Sequence, residues 1–266
     1  MSAVRLALLA RVGAIAVATA TAACVTADAA AREDPAKASV ETVRVELAVG
    51  SADVDVYWPE SRGPAPLVLV AHGFWRDRGN MSGWGRRLAA EGFVAAVPDL
   101  PAWSDHARNG RFLTELRAHL CARFGPRIDP SRVGLVGFSA GGLSSLLSAV
   151  EAPHPAIWVG LDPVDRKGLG AKAASRLACR AVVLTAEPSA CNAQGNTRDL
   201  LAALPRGEHA HVAGAVHTDA EWPTTRMAEA VCGRSTGEKR DEFRRRAIAA
   251  LRETLLPRPA PDTAPR

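Results

Sequence analysis

The spacing of apolar and polar positions changes along this chain, and the changes mark its elements. "TVRVELAV" (42–49) and "ADVDVYW" (52–58) alternate apolar and polar residues and are rich in valine. That period of two predicts a pair of strands, each buried on one face and joined as an antiparallel hairpin. Further on the alternation gives way to unbroken apolar runs: "APLVLVAHGF" (65–74), "FVAAVPDL" (93–100), "RVGLVGFS" (132–139), "AIWVGLDPVD" (156–165) and "RAVVLTAE" (180–187). Runs of this kind are expected of strands covered on both faces. "EHAHVAGAVH" (208–217) reads as the last strand.

Helical stretches fall between these runs: "GWGRRLAAEG" (83–92), "FLTELRAHLCARFG" (112–125), "AGGLSSLLSAVEA" (140–152) and "KGLGAKAASRLA" (167–178). In "GEKRDEFRRRAIAALRETLL" (237–256) Phe243, Ala247, Ile248, Leu251 and Leu255 fall on one helical face and the charges on the other, so the "RRR" needs no nucleic-acid partner. Strands and helices in alternation predict an α/β domain, a mostly parallel central sheet with helices on both faces, over residues 41–256. Trp58, Trp84 and Trp158 lie inside elements and are expected in the core.

The ends of the chain read differently. Residues 1–30 carry early arginines (Arg5, Arg11), a short apolar stretch and then small residues that offer signal-peptidase sites. A membrane span needs roughly 20 apolar residues, and Arg11 interrupts this stretch, so export rather than a permanent anchor is expected. "TAAC" (21–24) also resembles a lipobox, which leaves Cys24 either cleaved off or lipidated. Residues 31–40 read as a polar linker, and "PRPAPDTAPR" (257–266) as a disordered tail. The net charge of +5 includes Arg5 and Arg11 of the leader, and no basic patch interleaves with aromatics. Nucleic acid is therefore not an expected partner.

Within the domain, "GFSAGG" places Ser139 between an apolar strand and a helix. A G-x-S-x-G at that junction is the nucleophile elbow, in which small neighbours let strand and helix approach while the serine sits exposed on a strained turn. A serine needs a base, a group that orients the base, and donors for the oxyanion. Of the seven histidines only His217 lies just beyond the last strand, where the base follows in chain order. For the acid, Asp162 ends the strand after the nucleophile and is followed by a rigid proline. Glu187 in "TAEPSAC" and Asp165 stand as alternatives. The N–H groups of Phe74 and Ala140 are the expected oxyanion donors. His209, His211 and His217 have no acid or cysteine at metal-ligand spacing, so neither a metal nor another cofactor is expected.

These residues resemble the α/β-hydrolase superfamily, and within it the chlorophyllase-like and dienelactone-hydrolase-like esterases, with bacterial cutinase-type enzymes close by. The resemblance rests on "VLVAHGF", "GFSAGG", "GLDPVD" and "GAVHTDAEWP" and spans about residues 43–255. "LDPVD" is similar to the chlorophyllase and pancreatic-lipase patterns, in which the acid also follows the strand after the nucleophile, and this favours Asp162. The loop "PSACNAQGN" looks chlorophyllase-like as well. Plant chlorophyllases carry His and Arg beside the serine where this chain has Phe138 and Ala140, so hydrolase class carries over and chlorophyll does not. The resemblance implies an α/β-hydrolase fold acting on carboxylic esters. Fewer than 20 residues follow Asp162 before the next strand, too few for a large cap domain.

Trp75, Trp103 and Trp222 fall in loops at the carboxyl ends of strands and are expected to line an apolar substrate pocket. Expected partners are a small-molecule or polymeric ester, and a membrane only through lipidation at Cys24; the chain is expected to be a monomer, secreted or periplasmic. A polyester or cutin depolymerase, or a lipase, is the competing enzymatic reading; a catalytically inactive binding or surface protein is the non-enzymatic one. Outside the leader four cysteines remain, an even number suited to two disulfides in an exported protein. Cys121 and Cys179 belong at the bottom of the sheet and Cys191 and Cys232 at the top. Since bridged Cα atoms lie within about 7 Å, the expected pairs are Cys121–Cys179 and Cys191–Cys232.

Overall fold

The computed structural model describes residues 38–61 and 63–256. The leader, Cys24, the linker up to residue 37 and the tail lie outside the described residues. Among the described residues eight strands form a single sheet: β1 (Ser39–Leu47), β2 (Gly50–Trp58), β3 (Ala65–Ala71), β4 (Val94–Pro98), β5 (Ile128–Phe138), β6 (Ile157–Leu161), β7 (Arg180–Thr185) and β8 (Gly207–His211). Their order across the sheet is β1-β2-β4-β3-β5-β6-β7-β8. β1 and β2 form the antiparallel hairpin, β2 meets β4 antiparallel, and every later pairing is parallel. This is an α/β-hydrolase sheet, with the unbroken apolar runs in its interior.

The described residues also form seven α-helices: α1 (Ser82–Ala90), α2 (His106–Arg123), α3 (Ala140–Ala149), α4 (Leu169–Ala174), α5 (Arg198–Ala203), α6 (Arg226–Cys232) and α7 (Gly237–Leu255). The buried strands feed both faces because successive side chains point oppositely. Leu67 and Leu69 of β3 pack with Phe112, Leu116 and Leu120 of α2 and Leu146 of α3. Val68 and Val70 pack with Trp84 and Leu88 of α1 and Phe243, Ala247 and Leu251 of α7. The five apolar positions read on the face of α7 are all buried, as are Trp58, Trp84 and Trp158.

Three expectations need correction. α2 begins at His106 rather than Phe112, because the polar "HARNGR" turn is stabilised by the Asp105 cap and by close contact with α3. A Cβ at Gly110 would stand 2.8 Å from Leu147, so a residue that discourages helices in isolation is here what lets the two pack. β8 ends at His211, and the chain then turns before a short 3-10 segment that starts at His217. Cys191 and Cys232 are bridged, with Cα atoms 5.6 Å apart, but Cys121 and Cys179 stand as free thiols. Both free thiols pack against the lower core close to the Arg117 guanidinium, and burial pushes the Cys179 thiol up to about 11.

The register sets up the site. Ala71 of β3 lies beside Gly137 of β5, Phe138 beside Leu161 of β6, and Leu161 beside Leu184 of β7. His72, Ser139, Asp162 and Thr185 therefore reach the same carboxyl edge, where the following loops converge.

Candidate active site

Ser139 stands between β5 and α3 with φ 53° and ψ −120°, a left-handed backbone that a non-glycine residue adopts only when its surroundings enforce it. The enforcement is visible. Its N–H donates to Leu161 O at 3.0 Å, and its carbonyl accepts from Gly142 at 2.9 Å and Val164 at 3.2 Å. The flanking glycines are required by contact. A Cβ at Gly137 would lie 2.3 Å from Gly141 O, and one at Gly141 2.3 Å from His72 O.

His217 reaches back to this turn. Its Nε2 lies 3.0 Å from Ser139 Oγ and its Nδ1 2.6 Å from Asp162 Oδ2. The carboxylate can only accept, so Nδ1–H donates to it, and Nε2 is left to accept the hydrogen bond of the Ser139 hydroxyl. All three residues are buried. Asp162 also has a positive φ, 42°, and its remaining acceptor positions are used. Oδ1 accepts from Ala186 N–H at 3.0 Å, and Oδ2 from Asn192 Nδ2 at 3.0 Å. The alternatives for the acid are engaged elsewhere. Asp165 accepts from Gly170 and Ala171 at the start of α4. Glu187 is half exposed at the sheet edge, where the Gly214 amide and His211 hold its carboxyl below the usual range.

Two participants carry no clear signal in the sequence. Asn192 sits in the "PSACNAQGN" loop and is buried. Its Oδ1 accepts from Ser189 and Gly195, and its Nδ2 donates to Glu187 O as well as to Asp162. Its place next to Cys191, whose bridge to Cys232 ties this loop to α6, and the chlorophyllase-like pattern of the loop pointed toward the segment but not to the residue. Phe138, the variable residue of the elbow, lays its ring 4.7 Å from the His217 ring.

On the opposite side, the Phe74 loop and the first turn of α3 approach one another. The N–H of Ala140 is the first of the helix and has no partner within it. His72 braces the Phe74 loop: its Nδ1–H donates to Gly73 O at 2.8 Å and its Nε2 accepts from Leu100 N–H at 3.0 Å. Burial pushes its pKa down, in keeping with this neutral imidazole. Asn109 holds the next loop through its amide, which bonds both the N–H and the carbonyl of Ala102. Between these loops opens a cleft of about 590 Å³, lined by Phe74, Trp75, Trp103, Ala140 and Met227 among others. Phe74 stacks on Trp75 with ring centroids 5.2 Å apart, and Trp103 meets both edge-on. Trp222 does not belong to this cluster. It packs on the backbone of Gly83 and edge-on to Trp84, beneath the Arg244 guanidinium at 3.3 Å. Its expected place in the pocket is therefore corrected to a bracing role under the His217 loop. His209 and His211 share the Thr185 hydroxyl at the sheet edge, and the described residues contain no metal-binding cluster.

An eight-stranded sheet of this order, with a serine, a histidine and an aspartate meeting at its carboxyl edge, defines an α/β-hydrolase. The PETase family, described as PET hydrolase-like, matches residues 20–187, and the chain belongs to that hydrolase family. A bis(hydroxyethyl) terephthalate hydrolase of Streptomyces coelicolor (strain ATCC BAA-471 / A3(2) / M145) is 29% identical over 145 residues, 48% of this chain and 47% of that protein. The match thus spans about half the length of that curated relative. Among solved structures, the dienelactone hydrolase from Anabaena variabilis ATCC 29413 shares the fold at a TM-score of 0.64 and 17% identity, over 82% of this chain and 98% of the other. DcsB, solved in complex with its substrate analogue, does so at a TM-score of 0.66 and 11% identity, over 82% and 99%.

Proposed function

We propose that this protein is an exported serine hydrolase that cleaves carboxylic esters through Ser139, His217 and Asp162. The observation that carries the reading is the unbroken hydrogen-bond chain from Ser139 Oγ through the His217 ring to Asp162. His217 Nε2 takes the proton as Ser139 Oγ attacks the ester carbonyl, and Asp162 stabilises the imidazolium that results. The N–H groups of Phe74 and Ala140 receive the developing oxyanion, the second aided by the positive end of α3. Collapse expels the alcohol, which takes its proton from His217, and leaves an acyl-enzyme on Ser139. Water then repeats the sequence and releases the acid.

Family membership and the name of the Streptomyces relative support an ester as substrate. Export is supported by the leader-like pattern of residues 1–30 and by the Cys191–Cys232 bridge, a bond that persists in oxidising compartments. The decisive experiment is labelling with a fluorophosphonate together with turnover of an ester panel, by wild type and by Ser139→Ala. The expected result is one label per chain and measurable ester turnover in wild type, with both lost in the variant. Turnover by folded Ser139→Ala would refute the reading.

A second reading, that the ester is presented on a polymer or another insoluble surface, has its own observation. Among the described residues seven large hydrophobic side chains are exposed, and only Val40 lies away from the carboxyl edge of the sheet. Of the other six, Phe74, Trp75, Trp103 and Met227 line the cleft, while Leu169 opens α4 and Val231 lies on α6, in the connections that follow β6 and β8. An apolar rim of that kind fits contact with an extended apolar substrate. Turnover of polyester film compared with soluble short-chain esters tests it.

A further inference from the structure

The mechanism above makes no use of one buried charged pair that lies next to it. Arg76 follows directly on the Phe74–Trp75 turn, and Glu221 closes the short segment that begins at His217. Arg76 Nε donates to Glu221 Oε1, with the Glu221 side chain fully buried and that of Arg76 15% exposed. Arg76 Nη1 also donates to Trp75 O at 3.2 Å, at a residue whose φ of 56° is left-handed. From Glu221 the connection continues into the His217 loop. Its N–H bonds Thr218 O, while Trp84 Nε1 donates to Ala220 O and Trp222 N–H to Asn80 O. The pair therefore spans from the loop that carries one proposed oxyanion donor to the loop that carries the proposed base.

Stability does not account for such a pair. Desolvating two charges offsets most of their attraction, and apolar replacements of both are often neutral or better. Burial indeed pushes the Glu221 carboxyl up, opposed by Arg76 and by the nearby His217. We infer that Arg76 and Glu221 are positioning residues of the hydrolytic site, coupling the Phe74 loop to the His217 loop so that oxyanion donor and base hold their mutual geometry. The inference rests on the serine-hydrolase reading above.

The test compares wild type, Glu221→Gln and the double variant Arg76→Met/Glu221→Met. Three quantities are read: the stoichiometry of fluorophosphonate labelling, kcat and KM for p-nitrophenyl acetate, and thermal unfolding. Loss of about an ångström of alignment away from the reacting atoms can cost on the order of a hundredfold in rate. The expected result is a fall in kcat of about ten- to a hundredfold with KM within about twofold, and labelling that is slower but still reaches one per chain. The double variant is expected to unfold near the wild-type temperature and still to show the low kcat, which a merely structural pair would not do. A folded variant, single or double, that labels fully and keeps kcat within about twofold of wild type overturns the inference alone. Failure of wild type to label overturns the serine reading, and this inference with it.

Discussion

Ser139, Asp162 and His217 are 7%, 2% and 4% exposed, whereas Trp75 and Trp103 on the same carboxyl edge are 70% and 69% exposed. The polar residues lie inside and the aromatic ones outside, the reverse of the usual partition. Each side is held in place differently. Around the triad every polar atom that matters has a partner: Asn192 and Ala186 on Asp162, the Leu161 carbonyl on the Ser139 amide. Around the aromatic rim the backbone is pinned, by His72 at Leu100 and by Asn109 at Ala102, while the rings themselves face solvent. Proton transfer needs fixed, dry geometry, and contact with an apolar ester needs rings that water can leave. Under the proposed function, the contrast corresponds to chemistry in the buried half and recognition in the exposed half.

The most severe way to break this division is to remove the proposed nucleophile or base. Ser139→Ala and His217→Ala should each lower kcat/KM by about four orders of magnitude or more while circular dichroism and thermal unfolding stay close to wild type. Asp162→Asn should cost about three to four orders of magnitude, because an amide neither selects the Nδ1–H tautomer nor stabilises the imidazolium. Glu187→Gln, at the exposed edge, should cost less than about twofold, and a reversal of those two results would move the acid to the later strand. Loss of the Cys191–Cys232 bridge, by reduction or by Cys191→Ser, should lower stability by about 2–4 kcal/mol in denaturant titration. Turnover should fall with it, since the bridge holds the loop that brings Asn192 to Asp162. On the exposed side, Trp75→Ala and Trp103→Ala should lower kcat/KM for bulky aromatic esters by about tenfold. They should leave p-nitrophenyl acetate almost unaffected, and an equal loss on both substrates would dissolve the distinction between the two halves.

The smallest expected effect concerns acid. Burial holds the His72 pKa below its ordinary value of about 6.5 in the folded state, so the unfolded chain binds the proton first as pH falls. Its contribution to stability is complete above that value and is lost progressively below it. The unfolding temperature of wild type should therefore decline from pH 7 to pH 5 more steeply than that of His72→Gln.

Much of this arrangement was legible in the order of residues because it follows local rules. Strands buried on both faces must be apolar throughout, the elbow admits only small flanking residues, and His217 occupies the one loop after the last strand. What escaped depends on contacts between distant segments. α5 and α6 have six and seven residues, too short for a helical period to register. Trp222 looked like a pocket residue by its place in the loop, but the bare Gly83 backbone and the Arg244 guanidinium offered it a closer fit. Asn192 lies in a loop whose resemblance to the chlorophyllases assigns it no role, and its meaning lies in Asp162, thirty residues earlier. The pairing of Cys191 with Cys232 followed from which end of the sheet each occupies. The same argument put Cys121 and Cys179 at a common level, but a common level does not bring two thiols into bonding geometry.

The bridge has a consequence for proteolysis. Cys191 and Cys232 close a covalent ring, separated by 41 positions, that takes in Asn192, the edge strand β8, His217 and most of α6. β8 is largely exposed, as are Met227 and Val231, so this ring presents exposed segments to a protease. A single cut inside it opens the ring without separating the chain. The nicked protein would migrate at full length until reduced, and after a cut in β8 the bridge and the fold would still hold the Asn192 support and the His217 loop together on either side of the break.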